Sequence, residues 1–268
     1  MDIDVTGHET PVVVHTHDPA RPVPHPGEEW TRFVCVSDTH SHKVEVPIGD
    51  VLLHAGDLAR WGYPTEVEEM VSWLVTLPHP MKIIIGGNHD QYQESDLVEG
   101  LRARFKSGKL AVNHIHYLEH ETVSFVTKVG RTLKVYGSPA APRYASGAFQ
   151  YDSKEEAREI YSQIPNDIDI LLTHSPPHGI CDVTREGKNA GCPYLTERLA
   201  SLPLCKLHVF GCVRLWLVFV VARTECVFSH IHEAFGSQYV LEGATPRLAV
   251  NAAVASRGAK PVIVDMKL

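Results

Sequence analysis

The sequence predicts an α/β protein built from two sheets flanked by helices. Short apolar runs bounded by Gly, Asp and Pro alternate with segments of helical periodicity, and the end of the chain is rich in strand-like runs. Continuous apolar runs of roughly four to eight residues are typical of strands that are covered on both faces. With 268 residues, 44% of them hydrophobic, the chain is long enough for one large domain with a sizeable core.

The elements follow from these patterns in chain order. Strands are predicted over Arg32–Ser37, Asp50–His54, Lys82–Ile85, Lys134–Tyr136, Ile168–Thr173, Leu207–Phe210, Gln238–Glu242, Arg247–Asn251 and Pro261–Asp265. Helices are predicted after the capping boxes Thr65-x-x-Glu68 and Ser153-x-x-Glu156, and over Ser95–Phe105 and Tyr194–Leu202. The alternation of strands with apolar-striped helices favours sheets with helical layers outside them.

The N-terminal residues have a different composition. Residues 1–28 contain five Pro and four His without apolar periodicity. We therefore predict a flexible N-terminal arm over residues 1–30 and a single domain over residues 31–268.

The composition narrows the function classes. A net charge of -7 disfavours a basic nucleic-acid groove but suits carboxylates that hold cations, and 17 His raise the expectation of a metal site. Six Cys without a CxxC pair indicate a reducing compartment, and we expect a cytoplasmic protein without a signal peptide. No apolar run approaches the roughly 20 residues that cross a bilayer, so no membrane partner is expected. The sequence predicts no oligomeric state.

Polar groups that can bind metals follow four of the predicted strands, and a fifth group lies late in the chain. They are Asp38-Thr39-His40, Gly56-Asp57, Gly86-Gly87-Asn88-His89-Asp90, His174 and His230-Ile231-His232. Ligands of open α/β sheets bind at the carboxyl ends of the strands, so these groups are expected to meet in one crevice. Each motif alone is common, but the ordered set at successive strand ends indicates a shared site.

The residue types suit a centre with two metal ions. A carboxylate can bridge two ions, while neutral imidazoles and an amide oxygen complete each coordination sphere. If the segment is extended, Asp38 and His40 point to the same side, and the same holds for His230 and His232. The glycines that precede Asp57 and Asn88 are expected to let the backbone approach the ions closely.

The ordered set resembles the calcineurin-like metallophosphoesterase superfamily over nearly everything after Thr31. Flanking motifs resemble its metallophosphoesterase-domain-containing subgroup, which is similar to class III cyclic-nucleotide phosphodiesterases. These motifs are Tyr136-Gly137-Ser138-Pro139, Ala148-Phe149, Thr173-His174-Ser175-Pro176-Pro177 and Gly191-Cys192. The resemblance implies a four-layer αββα sandwich and a metal-dependent phosphoesterase that acts on a phosphodiester bond, such as that of a cyclic nucleotide or another small phosphodiester.

The resemblance also implies a role for each motif residue. One ion would be held by Asp38, His40 and His232, the other by Asn88, His174 and His230, and Asp57 would bridge them. The two divalent ions would be manganese, iron or zinc, and a hydroxide that bridges them would attack phosphorus. His89 would face the phosphate and assist the leaving oxygen, and Asp90 would orient His89. By contrast, His54 is predicted to be a buried core histidine.

The last family motif is interrupted in this chain. The family normally has G-H-x-H directly after an apolar strand, whereas the 18 residues Cys212–Ser229 separate Gly211 from His230 here. Removing them would restore the contiguous motif, so we interpret residues 212–229 as an insertion. Three explanations stay open: a retained segment foreign to the mature protein, an element that loops out and returns both histidines, and a lesion that leaves a metal-poor protein.

A second function class stays open beside the hydrolase. A scaffold or binding protein could keep the fold with weak or no catalysis, because the insertion displaces the last histidine pair along the chain. A metallo-β-lactamase-like hydrolase would need an HxHxDH run, which the sequence lacks. Arg143 and the loop Asp182–Cys192 are candidates for the wall of a substrate pocket, although solvated-loop roles suit them equally.

Overall fold

The computed structural model describes residues 12–90, 114–143, 147–184, 187–211, 234–241, 243, 245–255 and 259–268. Its strands are β1 (Val12–Thr16), β2 (Trp30–Val36), β3 (Val51–His54), β4 (Met81–Ile85), β5 (Ile115–Leu118), β6 (Glu121–Val126), β7 (Thr132–Ser138), β8 (Ala141–Pro142), β9 (Gln150–Tyr151), β10 (Ile170–Thr173), β11 (Leu207–Phe210), β12 (Gly236–Val240), β13 (Arg247–Asn251) and β14 (Val262–Lys267). Its helices are α1 (Pro64–Thr76), α2 (Lys154–Ser162) and α3 (Pro193–Ala200).

Two six-stranded sheets form the centre of the protein. The first has the order β1-β14-β2-β3-β4-β5, with β2 to β5 parallel and β14 antiparallel to both of its neighbours. The second has the order β12-β13-β11-β10-β7-β6, with four parallel central strands and an antiparallel strand at each edge. The parallel strands of each sheet therefore end together, which gathers the loops that follow them at one edge of that sheet.

The sheets pack face to face and helices cover their outer faces. Leu53 of β3 and Leu172 of β10 belong to one core cluster between the sheets. Leu52 faces the opposite way and packs with the buried side of α1, while Leu171 packs in the cluster with α2 and α3. The order helix, sheet, sheet, helix confirms the predicted αββα sandwich. Because both faces of the central strands are covered, those strands appear in the sequence as continuous apolar runs.

The N-terminal arm predicted over residues 1–30 is wrong for part of its length. Val12–Thr16 forms β1, which pairs in antiparallel register with β14 at the edge of the first sheet. Further along, the buried Arg32 guanidinium donates to the carbonyl oxygens of Val23 and Pro24 at 2.8 Å each. The domain thus begins before residue 31. The sequence did not reveal this, because an edge strand with only one covered face contains only a short apolar run.

The helix starts show one correction and one confirmation. Helix α1 begins at Pro64 rather than after a Thr65-x-x-Glu68 box, and the carboxylate of Glu66 accepts from the backbone N–H of Tyr63 at 3.2 Å. Proline suits this first position because its missing N–H would have no partner there. Helix α2 begins as predicted, since Ser153 Oγ accepts from the backbone N–H of Glu156. The predicted helix Ser95–Phe105 lies outside the described residues.

In the part of the chain that the structure describes, no helix combines the length and apolar character that crossing a bilayer would need.

Candidate metal centre

The structure brings together five of the predicted ligand residues at the carboxyl ends of the parallel strands. They lie on the loops after β2, β3, β4 and β10, and all are buried: Asp38, His40, Asp57, Asn88 and His174. Both sheets contribute, because His174 follows a strand of the second sheet and the others follow strands of the first. The remaining two, His230 and His232, lie outside the described residues.

The carboxylate of Asp57 lies at the centre of this group. Its Oδ1 is 3.5 Å from His174 Nε2, and its Oδ2 is 3.7 Å from His40 Nε2. Asp57 therefore belongs to two sets of three ligand atoms, each within 4.8 Å of one another: one with Asp38 and His174, the other with His40 and His89. A carboxylate with one oxygen toward each set has the geometry of a bridge between two ions.

An amide oxygen completes one side of the centre. Asn88 Oδ1 lies 3.0 Å from His174 Nε2, the same nitrogen that faces Asp57. A carboxylate, an amide oxygen and an imidazole nitrogen thus converge on a small volume. The family resemblance implied that Asn88 and His174 would serve the same ion, and the structure places these two side chains next to each other.

The backbone around the ligands is not extended, which corrects the reasoning for the first motif. Asp38 and His40 have φ angles of 56° and 44°, and Asp57 has a φ of 55°. Side chains of an extended segment do not explain the convergence of Asp38 and His40; a tight left-handed turn does. Such conformations cost roughly 1–3 kcal/mol each in non-glycine residues and persist where surrounding contacts hold them. Here Asp38 and His40 donate backbone hydrogen bonds to the carbonyl oxygens of Gly56 and Asp57.

Two glycines allow the loops to pack against the ligands, as the sequence predicted. Gly56 has a φ of +96°, and a Cβ there would lie 2.5 Å from the carbonyl oxygen of Gly86. A Cβ at Gly87 would lie 2.5 Å from the backbone nitrogen of Asp57 and 2.7 Å from His174 Cε1. Any side chain at these positions would therefore push the loops that carry Asp57 and Asn88 away from His174.

Backbone carbonyls orient the imidazole rings. The Nδ1 atom of His174 lies 2.9 Å from the carbonyl oxygen of Ala55, and that of His40 lies 3.3 Å from the carbonyl oxygen of Ala59. Because a carbonyl only accepts, each Nδ1 carries a proton and each Nε2 is the atom directed toward Asp57, where it could bind an ion once it is unprotonated. These partners are main-chain atoms, so no side-chain motif could have revealed them.

The contacts of His89 and Asp90 differ from the prediction. His89 Nδ1 donates to the carbonyl oxygen of Arg60 at 2.7 Å, so this carbonyl orients the ring. The carboxylate of Asp90 instead accepts from the backbone N–H groups of Ala59 and Gly87, at 2.7 and 2.8 Å. Asp90 therefore joins the loop after β3 to the loop after β4, and acts on His89 only through the backbone that it fixes.

The charges in the centre fit a site for cations. Burial raises the pKa of Asp57, but the neighbouring histidines, His174 above all, outweigh this effect and hold it below the usual range. Burial lowers the pKa of His174, but the charge of Asp57 outweighs this effect and raises it to about 10. Burial, with the repulsion of Asp57, raises the pKa of Asp90 to about 7. Buried carboxylates this close need positive charge, which protonated histidine supplies in the absence of an ion and divalent ions would supply in its place.

His54 is a buried core histidine, as predicted. It is fully buried, its Nε2 lies 3.1 Å from Thr39 Oγ1, and burial lowers its pKa to about 3. The ring stays neutral and supports the turn that carries Asp38 and His40.

The chain before the interrupted motif reaches the centre. A Cβ at Gly211 would lie 2.7 Å from Asp38 Oδ2 and 3.1 Å from His174 Nδ1. Gly211 follows β11 directly, and its N–H donates to the carbonyl oxygen of His174. The last residue described before the predicted insertion thus lies against two of the candidate ligands.

An open cavity of about 460 Å³ lies between the loop that carries Arg143 and the start of α3. Arg143 and the segment Ala190–Cys192 line it, and whether it is the substrate pocket stays a prediction. The loop that returns to β9 also carries Ala148, whose N–H donates to the carbonyl oxygen of Asn88. The cavity wall and the metal centre therefore share one connected loop.

Comparison with known proteins identifies the family. A family model described as calcineurin-like phosphoesterase matches residues 31–233. Metallophosphoesterase domain-containing protein 1 of Homo sapiens is 35% identical over 263 residues, which cover 90% of this chain and 72% of that protein. Probable rhamnogalacturonate lyase C of Emericella nidulans is 35% identical over 218 residues, which cover 80% of this chain but 18% of that protein. The chain thus spans less than a fifth of that relative.

A solved structure shares the fold. The crystal structure of TT1561 of Thermus thermophilus superposes with a TM-score of 0.50 and 11% identity, covering 82% of this chain and 88% of that one. The match of the family model over most of the chain, together with the relative from Homo sapiens, shows that this chain belongs to the calcineurin-like phosphoesterase family.

Proposed function

We propose that this protein hydrolyses a phosphodiester bond in a small substrate, such as a cyclic nucleotide, with the help of two divalent metal ions. The observation that supports this most is the position of Asp57, whose two carboxylate oxygens face different imidazoles, those of His174 and His40. Each oxygen could therefore serve a different ion. Family membership supports a metal-dependent phosphoesterase, and the phosphodiester and the cyclic nucleotide are our extension of it.

The donor set suits manganese, iron or zinc. Asp38, Asp57 and Asn88 offer oxygens, while His40 and His174 offer Nε2 atoms on imidazole rings that backbone carbonyls already orient. Mixed nitrogen and oxygen ligands do not discriminate among these metals. His230 and His232 stay predicted as one further ligand for each ion.

His89 is proposed to serve the leaving group. When bound, two ions in such a site supply positive charge to the phosphoryl oxygens and lower the pKa of a bound water toward about 7. The Nδ1 atom of His89 is engaged by the carbonyl oxygen of Arg60, so its Nε2 is the atom that can exchange a proton with the leaving oxygen. The ring lies beside His40, with centroids 4.9 Å apart, and is therefore close to the phosphate that the centre would bind.

Asp90 is proposed as a positioning residue. Its carboxylate links the backbone of Ala59 to that of Gly87, and so holds the Arg60 carbonyl and the Asn88 loop in one arrangement. Substituting Asp90 should therefore change the rate of hydrolysis by displacing these two loops, although no metal ligand is removed.

Turnover of bis-p-nitrophenyl phosphate with manganese, combined with metal analysis, tests the proposal. The native protein is expected to bind about two ions per chain and to be active. Asp57→Asn should lose metal and activity together, whereas His89→Ala should keep its metal and lose about 10²–10⁴-fold in kcat. Asp167→Asn, at an exposed carboxylate that pairs with Lys134, is the matched control and should change neither. A native protein that binds two ions but does not turn over the ester would contradict the proposal.

The alternative is a scaffold or binding protein with a metallophosphoesterase fold. The 18 residues between Gly211 and His230 favour it, because they separate the last histidine pair from the strand that leads into the centre. Such a protein would show neither two bound ions nor turnover in the same assays, and Asp57→Asn and His89→Ala would change nothing measurable.

Two further proposals concern the location of the protein in the cell and the class of its substrate. We propose a cytoplasmic location, supported by free cysteines at Cys35, Cys181, Cys192 and Cys205 among the described residues. We further propose a small-molecule substrate rather than nucleic acid, supported by the net charge of -7. Cell fractionation and competition by long single-stranded DNA in the ester assay would test these two statements.

A further inference from the structure

The segment Arg60–Tyr63 lies directly beside the proposed leaving-group histidine. The carbonyl oxygen of Arg60 accepts from His89 Nδ1 at 2.7 Å. Trp61 is joined to that carbonyl by one peptide bond, so its Cα lies within about 6 Å of the His89 ring nitrogen. The Trp61 backbone thus lies beside the residue that is proposed to face the phosphate.

Hydrogen bonds hold this segment in one conformation. Ser41 Oγ accepts from the backbone N–H of Arg60 at 3.0 Å. A single oxygen of Glu66 accepts from the N–H groups of Trp61 and Tyr63, at 3.0 and 3.2 Å. Because Ser41 follows a candidate ligand directly and Glu66 lies in the first turn of α1, the segment is fixed to the metal centre on one side and to a helix on the other. A surface held in this way binds with little loss of conformational entropy.

Two aromatic side chains of the segment are exposed. Trp61 is 41% exposed and Tyr63 is 47% exposed, although large aromatic residues are usually much more buried. The guanidinium carbon of Arg60 lies 5.4 Å from the centre of the Trp61 ring, so a planar cation and an indole are presented together. Exposed aromatic surface rimmed by polar groups is typical of a ligand-binding surface.

We propose that Trp61, with Arg60 beside it, stacks against the nucleobase of a nucleotide phosphodiester while its phosphate lies at the metal centre. This inference rests on the proposed phosphodiesterase function and adds the part of the substrate that is recognised. An indole and a guanidinium both stack on the flat face of a base, irrespective of which base it is. The substrate class is therefore a nucleotide rather than an alkyl phosphodiester, with little preference among the bases.

Two esters that share a leaving group test this. They are the p-nitrophenyl ester of thymidine 5'-monophosphate and methyl p-nitrophenyl phosphate, assayed with manganese on the full chain. Trp61→Ala is expected to lower kcat/KM about 5- to 150-fold for the nucleoside ester and to leave the methyl ester unchanged. Trp61→Phe should restore most of the loss, because it keeps a stacking ring. The control Ile48→Ala removes another exposed hydrophobic side chain, 77% exposed, near the end of β3 that lies away from the metal centre, and should change neither ester.

The outcomes separate this inference from the proposed function. An equal loss on both esters, or no loss on either, would overturn the stacking role while leaving the phosphodiesterase intact. If the native protein cleaves neither ester, the proposed function fails, and calorimetric binding of adenosine 5'-monophosphate and ribose 5-phosphate decides the inference alone. Weaker binding of the nucleotide by Trp61→Ala, with ribose 5-phosphate unchanged, would support stacking. Absent binding, or equal binding by both proteins, would refute it.

Discussion

Deletion of Cys212–Ser229 is expected to raise manganese-dependent phosphodiesterase activity, and the flanking strands explain why the fold should tolerate it. Strands β11 and β12 lie on either side of β13, and Phe210 and Gly236 both pair with Asn251. Neighbouring strands are about 4.8 Å apart, so the Cα atoms of Phe210 and Gly236 lie about 10 Å apart. The shortened connection of Gly211 and residues 230–235 could span about 25 Å when extended, which is ample.

The position of Gly211 beside the metal centre gives the expected size of the gain in activity. A Cβ at Gly211 would lie 2.7 Å from Asp38 Oδ2, and in the shortened chain His230 would follow Gly211 at a Cα distance of about 3.8 Å. The deletion would therefore start the histidine pair at the edge of the metal centre. If the pair supplies one ligand to each ion, an error of about 1 Å in its placement costs about 100-fold, so we expect a rise of about that size in kcat/KM.

The assay compares the full and shortened chains with bis-p-nitrophenyl phosphate and manganese, and measures bound metal by mass spectrometry. A third protein carries the deletion together with His230→Ala and His232→Ala, and should return to the activity of the full chain. A gain that survives this double substitution would show that the histidines are not its cause. Equal activity and equal metal content in the full and shortened chains would refute the idea that the segment harms the site.

Three further predictions concern the loops, the core and the pH dependence. Gly87→Ala should lower activity about 100-fold and reduce bound metal, because its Cβ would lie 2.5 Å from a backbone nitrogen of the centre. Gly130→Ala, with a φ of +80° but nothing within 4 Å of the added Cβ, should cost some stability through backbone strain and spare both activity and metal. Asp265→Ala should lower the free energy of unfolding in urea by about 3–5 kcal/mol, because it leaves the Arg32 guanidinium buried without its carboxylate; a loss below about 1 kcal/mol would contradict this. Burial lowers the pKa of His79 to about 4, so between about pH 6.5 and 4 the unfolded chain binds a proton at His79 that the folded chain does not. The free energy of unfolding should therefore fall as the pH drops through this range, by up to roughly 3 kcal/mol. His79→Gln should flatten that part of the urea-midpoint profile, and parallel profiles would refute the assignment.

The central strands were predictable because burial on both faces leaves a continuous apolar run. Arg32–Ser37 and Leu207–Phe210 were identified in this way, and β2 and β11 match them within two residues. The edge strands β1 and β6 were missed, since β6 exposes most of its residues and β1 is only partly covered. Their place in the fold depends on the backbone of a neighbouring strand rather than on their own side chains.

The candidate ligands could be named from the sequence because metal binding requires particular side chains, and the order of the motifs preserves them. The groups that orient those ligands were not. The carbonyl oxygens of Ala55, Ala59 and Arg60 belong to residues whose identity says nothing about their hydrogen bonds. The assignment of Asp90 to His89 failed for the same reason, because adjacency in sequence does not decide which backbone N–H a carboxylate meets.

By itself the sequence predicted the α/β class, the αββα layers through the family resemblance, and the side chains Asp38, His40, Asp57, Asn88 and His174 as candidate ligands. Only the tertiary structure decided that Asp57 faces two sets of ligand atoms and that the first motif converges through left-handed turns. The sequence gives the chemistry of each side chain directly, whereas the bridging position of Asp57 depends on distances between loops of two sheets. The packing of the whole core sets those distances. Every strand contributes to that packing, so no single motif can predict it.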